Sequence, residues 1–384
     1  MLPSSCDFPA RIVAIETTFP GEPVATSDLL EGCRKFLSDD LARTISTMQV
    51  RQRHSIVRDL IPFLRGERQR SLSHSTAYLA AKAVRKCLDL SGIEGREIDA
   101  FIAVTNTPDR PLPGAAYEIV HLLNGRIRPD IRVLNLSHAG CSALLKGIDL
   151  AKALVESGAA RTALVTAAES HMAFVDPLDH ETHYSYREVL RQRLPERELR
   201  KSHRVIGATL FGDGAVAVVV TRSEDKGIAF GTFSHLTNLD RDDPEILRIN
   251  RGGARQPDTQ GTPLYEMTST VPRRGAAYMR RALQELMPAE AGPGFDTQAV
   301  SEMSGFLIHT GSRKILEGVC RTIGVAPDDP RAASSFHVLR NHANVSSVSV
   351  GIMLEREMRA GFRGKALALS FGVGFSATSG VLAA

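Results

Sequence analysis

The sequence has no tryptophan, and aromatic residues make up only 5% of its 384 positions. Stacking surfaces for bases are therefore scarce, and no nucleic-acid-binding motif offsets that lack, so nucleic acid is not an expected partner. The five cysteines (Cys6, Cys33, Cys87, Cys141 and Cys320) are odd in number, scattered and never in a CxxC pair. That pattern argues against a disulfide framework and a cysteine-rich zinc site, and it points to a reducing cytoplasm. No apolar run approaches the roughly 20 residues of a membrane-spanning helix. The N-terminal "MLPSSCDFPARIVAIETTFP" lacks the basic start and long apolar core of a signal peptide. Low-complexity tracts and solenoid periods are missing as well.

Charge is nearly balanced, at +4 overall. It is unevenly placed: "REVLRQRLPERELRKSHR" (Arg187–Arg204) carries seven basic and three acidic residues, an excess equal to that of the whole chain. Such a run reads as a solvated helix face, with an acidic carrier protein or a phosphorylated ligand as the functional alternative. "DHETHY" places His180 and His183 near Asp179 and Glu181, but without metal-ligand spacing, and it reads as a solvated loop.

The chain does hold ample core material, 43% hydrophobic residues with 31 Gly and 19 Pro, ordinary for an α/β enzyme. Short apolar strand patterns alternate with helical ones, which implies largely parallel sheets covered by helices. "HSTAYLAAKAVRKCLDLSG" is a helix stopped at Gly92, and "IDAFIAVTNT" and "ARTALVTAAES" are buried strands. "GATLFGDGAVAVVVTR" is mirrored by "GKALALSFGVGFSATSGVLAA", which suggests two similar halves, roughly 1–222 and 223–384. Stretches 175–206 and 229–265 show the least regular pattern and read as insertions over the surface or a site mouth.

"NLSHAGCSALLKGIDLAKAL" sets one cysteine between a glycine and a helical run. A helix beginning at Cys141 would aim unsatisfied N–H groups at the sulfur and favour thiolate. A small buried filler is the other reading. His309 ends the strand "GFLIH", where a side chain reaches either a cleft or the surface. Asn344, in "NHANVSSVS", precedes a helix that it could simply cap. Together the three form a Cys–His–Asn set, each at a strand–helix junction.

"AGCSALLKGIDLAKALVESGAARTALVTAAES", "LFGDGAVAVVV", "LIHTGSRKIL", "HANVSSVSV" and "SFGVGFSATSGVL" resemble, in order and spacing, the landmarks of the thiolase superfamily. They are most similar to the β-ketoacyl-acyl-carrier-protein synthase III group and to type III polyketide synthases, over almost the whole chain. The resemblance implies a five-layered αβαβα fold and a homodimer. It implies an acyltransferase of fatty acid or polyketide biosynthesis, using thioesters on acyl carrier protein or coenzyme A and no metal or redox cofactor. Cys141 matches the acyl-accepting nucleophile, and His309 and Asn344 match the pair that stabilises an enolate after decarboxylation. The amides of Cys141 and Val373 would form the oxyanion hole, with Gly372 and Gly374 permitting close approach.

The chain departs from that pattern in places. Arg43 stands where synthase III enzymes often carry a tryptophan near the pantetheine tunnel. "HTGS" and "NVSSVS" lean towards type III polyketide synthases, whereas "EILRINRGGARQP" and "RQRH" resemble synthase III. Other readings are transfer to an oxygen or nitrogen acceptor, with His309 as general base, and a catalytically silent dimer partner. His138 is unusual so near the cysteine and either packs or tunes the thiol.

Overall fold

The computed structural model describes residues 10–178, 204–223, 226–249, 265–267, 270–290, 292–372 and 374–384. Its first part runs β1 (Ala10–Thr18), α1 (Thr76–Ser91), β2 (Ala100–Thr105), α2 (Ala115–Leu122), β3 (Arg132–Ser137), α3 (Ala143–Glu156), β4 (Thr162–Ser170) and β5 (Asp213–Arg222). It continues with β6 (Ile228–Thr237), α4 (Val271–Leu286), β7 (Gly305–Ile308), α5 (Arg313–Thr322), α6 (Ala333–His342), α7 (Val348–Arg359), β8 (Lys365–Gly372) and β9 (Ser376–Ala383).

These strands form one nine-stranded sheet in the order β7-β8-β9-β6-β1-β5-β4-β2-β3. A single pairing grammar occurs twice. β2 lies parallel to β4, followed by antiparallel β5 and β1. β7 lies parallel to β8, followed by antiparallel β9 and β6. The two runs join only at Arg11↔Ala229 and Ile12↔Ile228.

Strand alternation explains the layers. Ile102 and Val104 of β2, with Ala366 and Ala368 of β8, enter one core with Leu144, Leu145 and Ile148 of α3 and Val350 and Leu354 of α7. Their neighbours Phe101 and Ala103 face α1 on one outer side. Leu367 and Leu369 face Tyr278 of α4 and Leu316 of α5 on the other. Each fully buried Leu or Ile in such a layer contributes about 1.5–3 kcal/mol. The result is helix, sheet, helix, sheet, helix: the thiolase-like αβαβα arrangement.

One sequence expectation is corrected here. The stretch read as irregular from 229 opens with a ten-residue strand, β6, which joins the two runs of the sheet. Its inward positions Ile228, Phe230, Ser234 and Leu236 do alternate, but Gly231, Thr232 and a buried serine dilute the apolar signal. Segment 179–203, with His180, His183 and most of the basic run, lies outside the described residues.

Candidate active site

Cys141 sits on the turn between β3 and α3, after Gly140 in a left-handed backbone (φ +78°). It is partly exposed, whereas Cys33, Cys87 and Cys320 are buried. The helix starts at Ala143 with Ser142 as N-cap, not at Cys141. Burial pushes the Cys141 thiol up to about 12, a hydrogen bond from Ser346 opposes this, and the Glu169 charge adds to it. Burial thus opposes the thiolate that a helix end at the sulfur was expected to favour.

His309 follows β7 and donates its backbone N–H to Leu369 O at 2.8 Å. Only 2% exposed, it is not a surface residue. Its Nδ1 has no hydrogen-bond partner among the described residues, and its ring stands edge-on to Phe371. Burial holds its pKa down to about 3, so the imidazole is neutral at ordinary pH.

Asn344 is buried and caps no helix. α7 starts at Val348 behind Ser347, while Asn344 Oδ1 accepts the Ser346 N–H at 2.9 Å. Its main chain is clamped by Leu210 O and by the Gly212 N–H. With Oδ1 engaged, the Nδ2 hydrogens are its available donors.

The three residues meet through their immediate neighbours. Ser346 Oγ lies 3.4 Å from Cys141 Sγ. Ser370 Oγ donates to Cys141 O at 3.0 Å, one residue along β8 from the Leu369 that holds His309. Thr310 Oγ1 reaches Ala343 O at 3.3 Å, next to Asn344. Gly372 closes the group, since a Cβ there would stand 2.2 Å from the Cys141 nitrogen. Gly374 has φ +73° in the β8–β9 turn. Val373 between them lies outside the described residues. His138 is exposed at φ +59°, a conformation His tolerates, and its side chain makes no hydrogen bond among the described residues. Arg43 is an exposed surface residue 3.8 Å from Asp40.

Sequence reading missed a polar layer beneath the cysteine. Glu169, fully buried, accepts from Asn106 N at 3.1 Å, Asn106 Nδ2 at 2.7 Å and Thr107 Oγ1 at 3.2 Å, and from Ser347 Oγ. His171 Nε2 lies 3.5 Å from the same carboxylate. Burial pushes Glu169 up to about 7 against those hydrogen bonds. Asp213, which accepts the Ile56 and Met172 N–H groups, is likewise raised to about 7 by burial. The available signal was a carboxylate closing an otherwise apolar strand, "TALVTAAES".

Reading also missed a basic groove between α4 and α5. Arg273 and Arg280 of α4 face Lys314 and Arg321 of α5, with no acidic residue in the lining among the described residues. Each pair is seven residues apart, two helical turns, which puts both members on one face. α5 begins four residues after His309.

A family model described as FAE1/type III polyketide synthase-like protein matches residues 61–174. β-Ketoacyl-[acyl-carrier-protein] synthase III of Neisseria meningitidis serogroup A is 26% identical over 298 residues, covering 75% of this chain and 77% of the relative. That of Acidiphilium cryptum is 27% identical over 345 residues, covering 87% and 91%. The crystal structure of the priming β-ketosynthase from the R1128 polyketide biosynthetic pathway superposes with a TM-score of 0.73 at 22% identity, over 98% of this chain and 96% of that one. Among the described residues, no helix is long and apolar enough to cross a membrane. Fold and relatives together make the chain an acyltransferase with a thiolase-like fold, similar to the β-ketoacyl-acyl-carrier-protein synthase III proteins and carrying a segment similar to type III polyketide synthases.

Proposed function

We propose a two-step condensation. Cys141 Sγ attacks an acyl thioester, the S–C bond forms, and the carrier thiol leaves. A malonyl-type thioester then loses carbon dioxide, and the electron pair of the broken C–C bond becomes an enolate held by His309 and Asn344. The enolate carbon attacks the Cys141 thioester, and the cysteine is released as the β-ketoacyl product departs. The amides of Cys141 and Val373 would hold the oxyanion in each acyl step. A neutral His309 with an unengaged ring nitrogen suits hydrogen-bond donation to an enolate. The observation that carries this reading is the seating of Cys141 and His309 on the adjacent β8 residues Ser370 and Leu369, with Asn344 joined to Cys141 through Ser346.

The basic groove supports an acidic carrier protein as a substrate bearer, in line with the name of the relatives. The edge strand β3, half exposed, and the neighbouring Leu112 and Tyr117, 81% and 57% exposed, support pairing with a second copy. We read 1–222 and 223–384 as the two thiolase-like halves, and the cytoplasm as the compartment. The type III polyketide synthase-like segment favours repeated extension as a second reading.

Intact-mass measurement after mixing with a panel of acyl thioesters tests the first step. An acyl adduct should form on the wild type and not on Cys141→Ala; no adduct with any donor would sink the proposal. Product analysis with malonyl thioester then separates the readings. One new C–C bond with carbon dioxide release indicates a synthase, several extensions a polyketide synthase, and an ester or amide without carbon dioxide neither.

A further inference from the structure

Cys141 carries a raised thiol pKa and sits two residues before its helix, so something other than the helix end must help it hold a negative charge. Ser346 Oγ lies 3.4 Å from Cys141 Sγ. The same oxygen is 3.2 Å from Asn106 Nδ2. Asn106 has little freedom: its side chain accepts the Gly140 N–H at 2.9 Å, donates one Nδ2 hydrogen to Glu169 at 2.7 Å and shares the other between Ser346 Oγ and Gly140 O, each at 3.2 Å, and its own N–H donates to Glu169 at 3.1 Å. It thus grips both the loop that carries the nucleophile and the hydroxyl that faces it.

We propose that Asn106 and Ser346 are positioning residues, forming a donor chain Asn106 → Ser346 → Cys141 that stabilises the thiolate. A hydroxyl that receives a hydrogen bond from an amide is polarised to donate more strongly. A bond to an ionised sulfur contributes more than one to a neutral thiol, so the chain favours the anion. Ser346 also donates its backbone N–H to Asn344 Oδ1 from a left-handed backbone (φ +49°). One residue therefore aims the amide expected to meet the enolate and supports the sulfur expected to carry the acyl group. Charged or titratable groups packed around this chain include Glu169 of β4, His171 just beyond it, His309 beyond β7, whose charge acts on His171, and Lys146 of α3, whose Nζ donates to Ala139 O at 3.2 Å. Glu169 opposes the thiolate, which makes a compensating donor necessary.

The inference rests on Cys141 being the acyl-accepting nucleophile, but its test needs no turnover. Iodoacetamide alkylation of Cys141 in the full chain, followed by peptide mass across the neutral to alkaline range, reads the thiolate fraction. Ser346→Gly suits the left-handed backbone. It should slow labelling about 10- to 100-fold at every fixed pH in that range, as the thiolate fraction falls. Asn106→Ala should slow it by less, and the double variant no more than Ser346→Gly. If Ser346→Gly does not fold, Ser346→Ala carries the same expectation, with melting temperature confirming an intact core. A Ser346→Gly profile that coincides with the wild type overturns the donor chain, and so does an additive double variant. Absence of any acyl adduct alongside a Ser346-dependent profile removes the proposed function and leaves the donor chain standing.

Discussion

Gly372 presses on Cys141: a Cβ on the glycine would come within 2.2 Å of the Cys141 nitrogen and 3.1 Å of its Cα. Both contact atoms are backbone, so neither can swing away. Gly372→Ala should displace the Cys141 N–H and lower the rate of acyl-adduct formation about 100- to 1,000-fold, the loss that follows removal of one oxyanion donor. Time-resolved intact mass measures it. Acylation within a few fold of the wild type would contradict an oxyanion role for that amide.

Asn344 and Cys141 should separate the two chemical steps. Asn344→Ala leaves the nucleophile in place, so adduct formation persists while malonyl decarboxylation and condensation fall about 100-fold or more. Carbon dioxide release and adduct mass, followed in one sample, make the comparison. Equal loss of both steps would contradict an enolate-holding role.

Charge reversal in the basic groove should discriminate between substrate bearers. Lys314→Glu with Arg321→Glu should reduce kcat/KM for a carrier-protein-bound substrate about 10-fold or more, through slower association. A small thioester mimic that lacks the carrier protein should be turned over unchanged. Raising the salt should weaken the wild type towards the variant. Equal effects on both substrates would contradict docking on this groove.

The buried titratable groups predict an unusual stability profile. His171, His309 and His342 have folded values of about 3, 3 and 4, held down by burial. Their contribution is present above the ordinary histidine value and is lost as pH falls through the folded values. Glu169 and Asp213 are raised to about 7, so their contribution runs the other way, lost as pH rises through about 7. Between about pH 5 and 6.5 the two sets largely cancel, and each uncompensated proton is worth about 1.4 kcal/mol per pH unit. Below about pH 4 the unfolded carboxyls are protonated too, the histidine loss is no longer offset, and stability should drop steeply. Urea-unfolding midpoints against pH check this; a uniform slope from neutral pH to acid would refute it.

Much of this molecule was legible from local pattern. α1 matches its apolar spacing and stops at Gly92, because cap residues and 3.6-residue periodicity are short-range signals. Cys141 and His309 stood out by their places at strand–helix junctions and all three by resemblance, whereas Asn344, expected at such a junction, lies between the helices α6 and α7. What stayed hidden depends on contacts between distant segments. Asn106 and Ser346 are 240 positions apart yet bonded, and no window of sequence contains both. β6 was passed over because its inward serine and its glycine make half of a buried strand look like loop. The surroundings of the Cys141 thiol were hidden because Glu169, Ser346 and Ser370 reach it from separate elements.

Ala343, beside the site, has an unexpected backbone. It lies at φ +65°, ψ −156°, where glycine alone rests without strain, directly before Asn344. Its carbonyl is tied to Thr310, and so to the segment of His309. The loop that presents the amide is thus a loaded spring whose tension is independent of any substrate. A population of such chains could drift to glycine here and become more robust without touching a reacting group, paying in looser aim. Natural or engineered variation at this position offers a dial between ruggedness and accuracy.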